Sequence, residues 1–273
     1  MVQATFVKIA WAGKHFGEEP PLVGKSGSGA IFFTGCNLRC VFCQNYQISQ
    51  QNLGNNHSME ELVRVMIRLQ KEGALNINLV SPTIWTEQIK QAIKKAKKQG
   101  LKIPIIWNSN AYESSKLIKS LEGLVDIYLP DFKYGDDEVA FKYSGVKNYK
   151  EKAEETIREM FSQSGNLKLS KEGIAEKGII VRHLILPNNT ENSKKALKII
   201  SEISKDIYIS LMNQYEPVNK AKEFPEISRR VRKEEFEEVY DYQLSLGLKN
   251  GWVQTMESPD TFLPDFRKEN PFI

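Results

Sequence analysis

The sequence predicts an α/β fold in which a parallel sheet curves into an incomplete barrel. Three observations carry this. Short apolar runs recur six times, each closed by Pro, Gly or a polar cluster, and amphipathic stretches stand between most of them. Strands alternating with helical patterns imply a parallel sheet, and right-handed crossovers leave a barrel or a doubly wound sheet. Six repeats without a clear centre favour the curved, incomplete barrel. No Pro-, Gly- or Ser-rich linker divides the 273 residues, so one large domain is expected, with 41% hydrophobic residues to fill its core.

In chain order, residues 1–29 read as an extended lead-in with turn signals at Pro20, Pro21, Gly24, Gly27 and Gly29. Residues 30–34 form the first strand, ended by Gly35. Residues 57–73 are helical, opened by a Ser58/Glu61 capping box and carrying Leu62, Val65, Met66 and Leu69 on one face. Residues 75–80 are a strand, followed by Ser81-Pro82-Thr83. The helix at 84–100 buries Ile89 and Ile93, and its lysines form a solvated face. A strand at 103–107 runs into Asn108-Ser109-Asn110. A short helix spans 114–121, and a strand at 125–129 precedes Pro130-Asp131-Phe132-Lys133. Residues 136–164 are polar with helical pieces. The strand at 178–186 carries Arg182 and His183, whose side chains must point to opposite faces. A helix at 190–203, a strand at 207–212 before Asn213-Gln214-Tyr215, and a helix at 233–246 follow. Residues 252–255 make a final strand. The barrel is thus expected over 30–255, with an irregular tail over 256–273.

The only cysteines, Cys36, Cys40 and Cys43, lie within GCNLRCVFCQN at the spacing C-x3-C-x2-C. Iron–sulfur clusters are held by cysteine thiolates, and a four-iron cluster has four ligand positions. Three thiolates leave one iron open to a substrate or cofactor, as an open position does in catalytic metal sites generally. A structural zinc site needs a fourth ligand, and neither His15 nor His57 stands at a usual spacing. A purely electron-carrying or redox-sensing cluster protein would close its cluster with four protein ligands, so the spacing favours an enzyme. In a parallel barrel the polar residues after each strand ring one mouth. Those residues are Ser81, Thr83, Asn108, Asn110, Asp131, Lys133 and Gln214, with Arg182 or His183 pointing inward. Each of them alone also fits ordinary turn or capping chemistry.

A net charge of +4 is too small to argue for nucleic acid or a membrane surface. No apolar run of about 18 residues suggests a span, and the first residues lack a secretory pattern. Clustered cysteines with none to pair elsewhere fit a reducing compartment, the cytoplasm.

The motif C-x3-C-x2-C with Phe42 before the last cysteine resembles the signature of the radical S-adenosyl-L-methionine (SAM) superfamily. The stretch CNLRCVFCQN and the preceding HFGEEPPLVGKSGSGAIFFTG resemble the pyruvate formate-lyase activating enzymes and a PflX-like branch of them. The resemblance covers nearly the whole chain. It implies a partial (β/α)6 barrel, a 4Fe-4S cluster on Cys36, Cys40 and Cys43, and SAM on the open iron. It implies that reductive SAM cleavage yields a 5′-deoxyadenosyl radical that abstracts hydrogen from a substrate. That substrate would be a glycine of a glycyl-radical enzyme, with a small molecule or peptide as the alternative. Asp131 and Lys133 match the D-x-K of those enzymes, VRHLILP with Arg182 matches their VRxxVxP, and 108–110 stand at their Thr-Asn-Gly. Phe42 is expected against the adenine. The sequence departs from the pattern after the second strand, where Ser81-Pro82-Thr83 replaces the Gly-Gly-Glu that receives the SAM amino group. No further cysteines exist for a second cluster, so an external flavodoxin or ferredoxin would deliver the electron.

Overall fold

The computed structural model describes residues 6–254 and 263–273. The chain enters through β1 (Phe6–His15) and one helical turn, α1 (Pro20–Val23), before β2 (Ser28–Phe33). The cysteine loop, α2 (Tyr46–Ser49) and β3 (Asn55–Ser58) lead to α3 (Met59–Lys71). Then β4 (Ile77–Val80), α4 (Thr86–Lys98), β5 (Ile105–Ser109), α5 (Ser115–Lys119) and β6 (Ile127–Pro130) alternate. Two helices follow, α6 (Asp137–Ser144) and α7 (Tyr149–Ser164), and then β7 (Lys168–Leu169), β8 (Ala175–Leu184), α8 (Thr190–Ile203), β9 (Tyr208–Met212), α9 (Lys233–Ser245) and β10 (Gly251–Val253).

One sheet runs in the order β10-β9-β8-β6-β5-β4-β2-β1-β3, with β7 paired to β8. From β2 to β10 every neighbour is parallel. β1 is antiparallel to both β2 and β3. Among the described residues no strand joins β10 to β3, so the barrel is partial. The six expected strands are β2, β4, β5, β6, β8 and β9. β10 is the seventh parallel strand; Thr255, placed in it by the sequence, lies outside the described residues, as do 256–262 of the tail.

The lead-in differs most from expectation. Residues 6–15 form a full strand of this sheet, held between β2 and β3. Val7 and Ile9 are buried, whereas the Lys8 Nζ donates to Asn52 O at 2.6 Å. β3 is the polar stretch NNHS, an edge strand made by its pairing to β1. The region 136–164 resolves into α6 and α7. α3 starts at the expected capping box: Ser58 N donates to Glu61 Oε2 at 2.7 Å and Glu61 N to Ser58 Oγ at 3.3 Å.

The pleat sorts side chains into two faces. Ile77 and Leu79 of β4, Ile105 and Trp107 of β5, and Ile179 and Val181 of β8 belong to the main core between sheet and helices. The opposite face is plugged by Leu22, Ile106, Ile127, Leu129, Leu167 and Ile180. Asn108, Asp131 and Arg182 follow Ile106, Leu129 and Ile180 on that face at a spacing of two, and Asn78 joins them through Glu18. This polar interior lies beside the cysteine loop.

Candidate active site

The cysteine loop leaves the sheet just past β2. Gly35 makes the turn at φ +90, where a Cβ would stand 2.5 Å from Ile84 Cδ1. Cys40 is buried, and Cys36 and Cys43 are half-buried. Each sulfur has a hydrogen-bond partner, and those of Cys36 and Cys40 include side chains from distant parts of the chain. Cys36 Sγ accepts from Leu38 N at 3.4 Å and Asn110 Nδ2 at 3.3 Å. Cys40 Sγ accepts from Ser144 Oγ at 3.0 Å, and Cys43 Sγ lies 3.2 Å from Ser49 Oγ. Burial pushes the Cys36 thiol up, and burial with the neighbouring Cys40 pushes Cys43 up to about 12. These thiols need a metal's positive charge to ionise at neutral pH. Among the described residues no three His, Cys, Asp or Glu side chains converge as ligands of a single metal ion. A cuboidal cluster takes each thiolate on a separate iron, so its ligands need not converge. The donor set, three soft sulfurs already supplied with hydrogen bonds, fits such a cluster.

Inside the barrel, charged groups form a continuous chain. Lys133 Nζ donates to Asp131 Oδ2 at 2.6 Å, and Arg182 Nε donates to Asp131 Oδ1 at 2.6 Å. Arg182 Nη2 donates to Asn108 Oδ1 at 2.6 Å, and Nη1 to Glu18 Oε2 at 3.0 Å. Glu18 Oε1 in turn accepts from Asn78 Nδ2 at 2.9 Å. Burial alone would raise Asp131, but Arg182 and Lys133 outweigh it and hold the carboxyl below its ordinary value. Burial dominates at Glu18 and Glu19 and raises both despite Arg182. Asp131, Lys133 and Arg182 keep 18%, 17% and 15% of their side chains accessible, so this chain of charges faces open space within the barrel.

Of the residues expected around the mouth, Asn108, Asp131, Lys133 and Arg182 are therefore one bonded set. Asn110 sits nearer the cysteines, its Nδ2 shared between Cys36 and Asn37 Oδ1. Gln214 accepts from Gln44 Nε2 on its carbonyl and from Gln254 Nε2 on its side chain, which ties the end of β9 to the cysteine loop. Ser81 holds a left-handed φ of 57, and its N–H donates to Asn108 O. Thr83 is drawn away from this set: its hydroxyl donates at 2.8 Å to Glu113 Oε1, which also accepts from Trp107 Nε1. Phe42 is buried against Tyr134 and Tyr215, with ring centroids 6.4 and 5.7 Å away. Arg182 points inward and His183 outward, where His183 Nδ1 lies 2.6 Å from Phe132 O; an acceptor there makes Nδ1 the protonated nitrogen.

Three groups escaped the sequence reading. Glu18 stands in a stretch read for its turns and its family resemblance, with no site residue named in it. Glu113 is a buried carboxyl with three neutral donors, Thr83, Trp107 and Ser109, and burial raises its pKa. Ser144 lies in the region read as polar helical pieces. An acid or hydroxyl has no periodicity of its own, so only the fold could have assigned these roles.

The model of the Radical SAM superfamily matches residues 30–198, more than half of the chain. The chain belongs to the radical SAM superfamily. Its cofactors are accordingly a 4Fe-4S cluster and SAM. It is 35% identical over 237 residues to MJ0674 of Methanocaldococcus jannaschii, an uncharacterized protein, covering 83% of this chain and 64% of that one. It is 24% identical over 205 residues to the pyruvate formate-lyase-activating enzyme of Clostridium pasteurianum, covering 69% of this chain and 79% of that enzyme. The chain thus spans less than two thirds of the length of its archaeal relative. Among solved structures, SuiB of Streptococcus suis bound to precursor peptide SuiA shares the fold at a TM-score of 0.57 and 16% identity, over 85% of this chain and 50% of that one. A cluster bound at Cys36, Cys40 and Cys43 would supply electrons one at a time. No helix among the described residues is long and apolar enough to cross a membrane.

Proposed function

We propose that this radical SAM enzyme is an activase: it removes hydrogen from a glycine in a loop of a partner enzyme and leaves a glycyl radical there. The observation that carries the reading is the match to a pyruvate formate-lyase-activating enzyme over 69% of the chain. The bonded set Asp131–Lys133–Arg182 lies on the residues for which the sequence resembles the activating enzymes.

In this reading Cys36, Cys40 and Cys43 hold the cluster and an external flavodoxin or ferredoxin reduces it in the cytoplasm. The polar interior orients SAM. Lys133 and Arg182 offer cations to its carboxylate, while Asp131 keeps both fixed and offsets their repulsion. Asn108 is already bonded to Arg182, which sets the height of the guanidinium against β5. With the Gly-Gly-Glu stretch absent, a hydroxyl or main-chain carbonyl of the turn at Ser81, which has a left-handed backbone, would take the place of the carboxylate toward the SAM amino group. Cleavage would break the C5′–S bond of SAM with one electron and release methionine, and the glycine Cα–H hydrogen would then pass to the 5′ carbon, giving 5′-deoxyadenosine and the glycyl radical.

Anaerobic incubation with reductant, SAM and candidate glycyl-radical enzymes, read by electron paramagnetic resonance, tests this. A persistent doublet on the partner is expected. Absence of any doublet, with deuterium passing from a labelled small molecule or peptide into 5′-deoxyadenosine, would replace the activase with a modifier of that substrate.

A further inference from the structure

The last turn of α6 is docked on the cysteine loop by two hydrogen bonds. Val41 N donates to Tyr143 O at 2.8 Å, and Ser144 Oγ donates to Cys40 Sγ at 3.0 Å. Gly145, in the left-handed region at φ 69, ends the helix directly after Ser144. Tyr143 is held from the far side, its OH donating to Glu226 Oε1 at 2.8 Å. The position of Ser144 is thus fixed from both directions.

Ser144 Oγ also lies 2.6 Å from Tyr134 OH. A serine hydroxyl has one proton to give. Since that proton goes to Cys40, the second contact must run from Tyr134 to Ser144. The result is a directed relay: Tyr134 O–H to Ser144 Oγ, then Ser144 O–H to Cys40 Sγ. Tyr134 is fully buried and Ser144 is 3% exposed, so water does not compete. A phenol is protonated at neutral pH and so has a proton to donate. Hydrogen bonds in such a chain polarise one another, and a low local dielectric strengthens each.

We propose that the Tyr134–Ser144 relay sets the reduction potential of the cluster and makes its one-electron reduction easier. The proposal rests on Cys36, Cys40 and Cys43 being the cluster ligands. A proton offered to a ligating sulfur draws off negative charge. The reduced cluster carries one more electron than the oxidised one, so it gains more from that offer. Hydrogen bonding to the sulfurs is one of the established controls of cluster potential. The donors to the other two sulfurs are single contacts, from Asn110 and Leu38 to Cys36 and from Ser49 beside Cys43. Among the described residues, Cys40 alone is served by a two-hydroxyl relay in a dry site. Tyr134 and Ser144 are positioning residues here: they act through Cys40 and touch no substrate.

The test uses wild type, Ser144→Ala, Tyr134→Phe and Cys40→Ala, each reconstituted anaerobically. Iron per chain is measured first, and the cluster is then titrated without SAM, with electron paramagnetic resonance reporting the reduced fraction. Ser144→Ala and Tyr134→Phe are expected to hold wild-type iron and to reduce at a more negative midpoint, with the larger shift in Ser144→Ala. Unchanged midpoints in both, at full iron content, overturn the proposal. Should Ser144→Ala lose iron, Tyr134→Phe decides alone, because it keeps the ring contacts to Phe42 and Tyr149. A lowered midpoint then supports the relay and an unchanged one overturns it. A Cys40→Ala variant with a full cluster signal would overturn the ligand assignment, and the proposal with it.

Discussion

Arg182 decides most at the residue scale. It holds Asp131, Glu18 and Asn108 together, and nothing else described bridges β5, β8 and the lead-in at that depth. Arg182→Ala and Asp131→Ala should weaken SAM binding by about 1.5–3 kcal/mol, roughly one to two decades in affinity, with iron content near normal. Equilibrium binding on the reconstituted protein checks this, and wild-type affinity in both variants would remove the pair from the cofactor's surroundings. His183, on the other face, makes a different prediction. Burial holds its pKa down at about 4, against an ordinary value of 6.5. Between those values the unfolded chain binds a proton that the folded chain refuses, so stability falls as pH drops through this window and is untouched above it. The loss between pH 7 and pH 5 is on the order of 2 kcal/mol. His15, also held at about 4 by burial and by Arg182, adds to the same slope. The apparent Tm of His183→Gln should therefore fall less than that of wild type between these two pH values.

The element scale shows what was legible in the sequence and what was not. The strands that became β4, β5, β6, β8 and β9 were readable because they are buried on both faces and so are nearly continuous in apolar residues. α8 begins and ends where its periodicity does, at Thr190 and Ile203. β1 and β3 were not readable as sheet. β3 has no apolar residue at all, and β1 owes its place to pairing with β2 as much as to its own alternation. At the site, Asn108, Asp131 and Lys133 could be named because each follows or ends a parallel strand, and Arg182 because it lies inside one at a matching motif. Thr83 could not be separated from them, since Glu113, which captures it, comes from the next loop. One element-level contact is unforgiving. Gly135, just past Lys133, lies against α8, and a Cβ there would meet Ala196 N at 2.3 Å and Asn192 O at 2.7 Å. Those are backbone atoms and cannot swing aside. Gly135→Ala should therefore lower the Tm and, by pushing the loop that carries Asp131 and Lys133, weaken SAM binding as well. Wild-type values for both would show that the loop can shift without cost.

At the scale of the whole molecule, the sheet is a partial barrel with β10 and β3 at its edges. On the β1 side an aromatic cluster forms, where Phe266 and Phe272 pack on Phe32 with centroids 5.3 and 5.4 Å apart and Phe272 also meets Trp11 and His15. Gln47, just past the cysteines, ties the same segment down through Asp265 and the N–H of Phe266. The cysteine loop is thus braced by the 263–273 segment, by α6 through Ser144, and by β5 through Asn110. Ser144 and Asn110 reach the sulfurs of Cys40 and Cys36 directly, and the 263–273 segment acts through Gln47, so separate parts of the fold converge on the cysteine loop. That convergence is the physical content of the claim that Cys36, Cys40 and Cys43 together hold the cluster that cleaves SAM. The most direct measurement is 5′-deoxyadenosine formed from SAM and reductant by the reconstituted protein, beside iron content, in wild type and in each single Cys→Ala variant. About four irons per chain and steady 5′-deoxyadenosine in wild type, with both lost in every variant, is the predicted result. A triple Cys→Ala variant that still held four irons and cleaved SAM would contradict it.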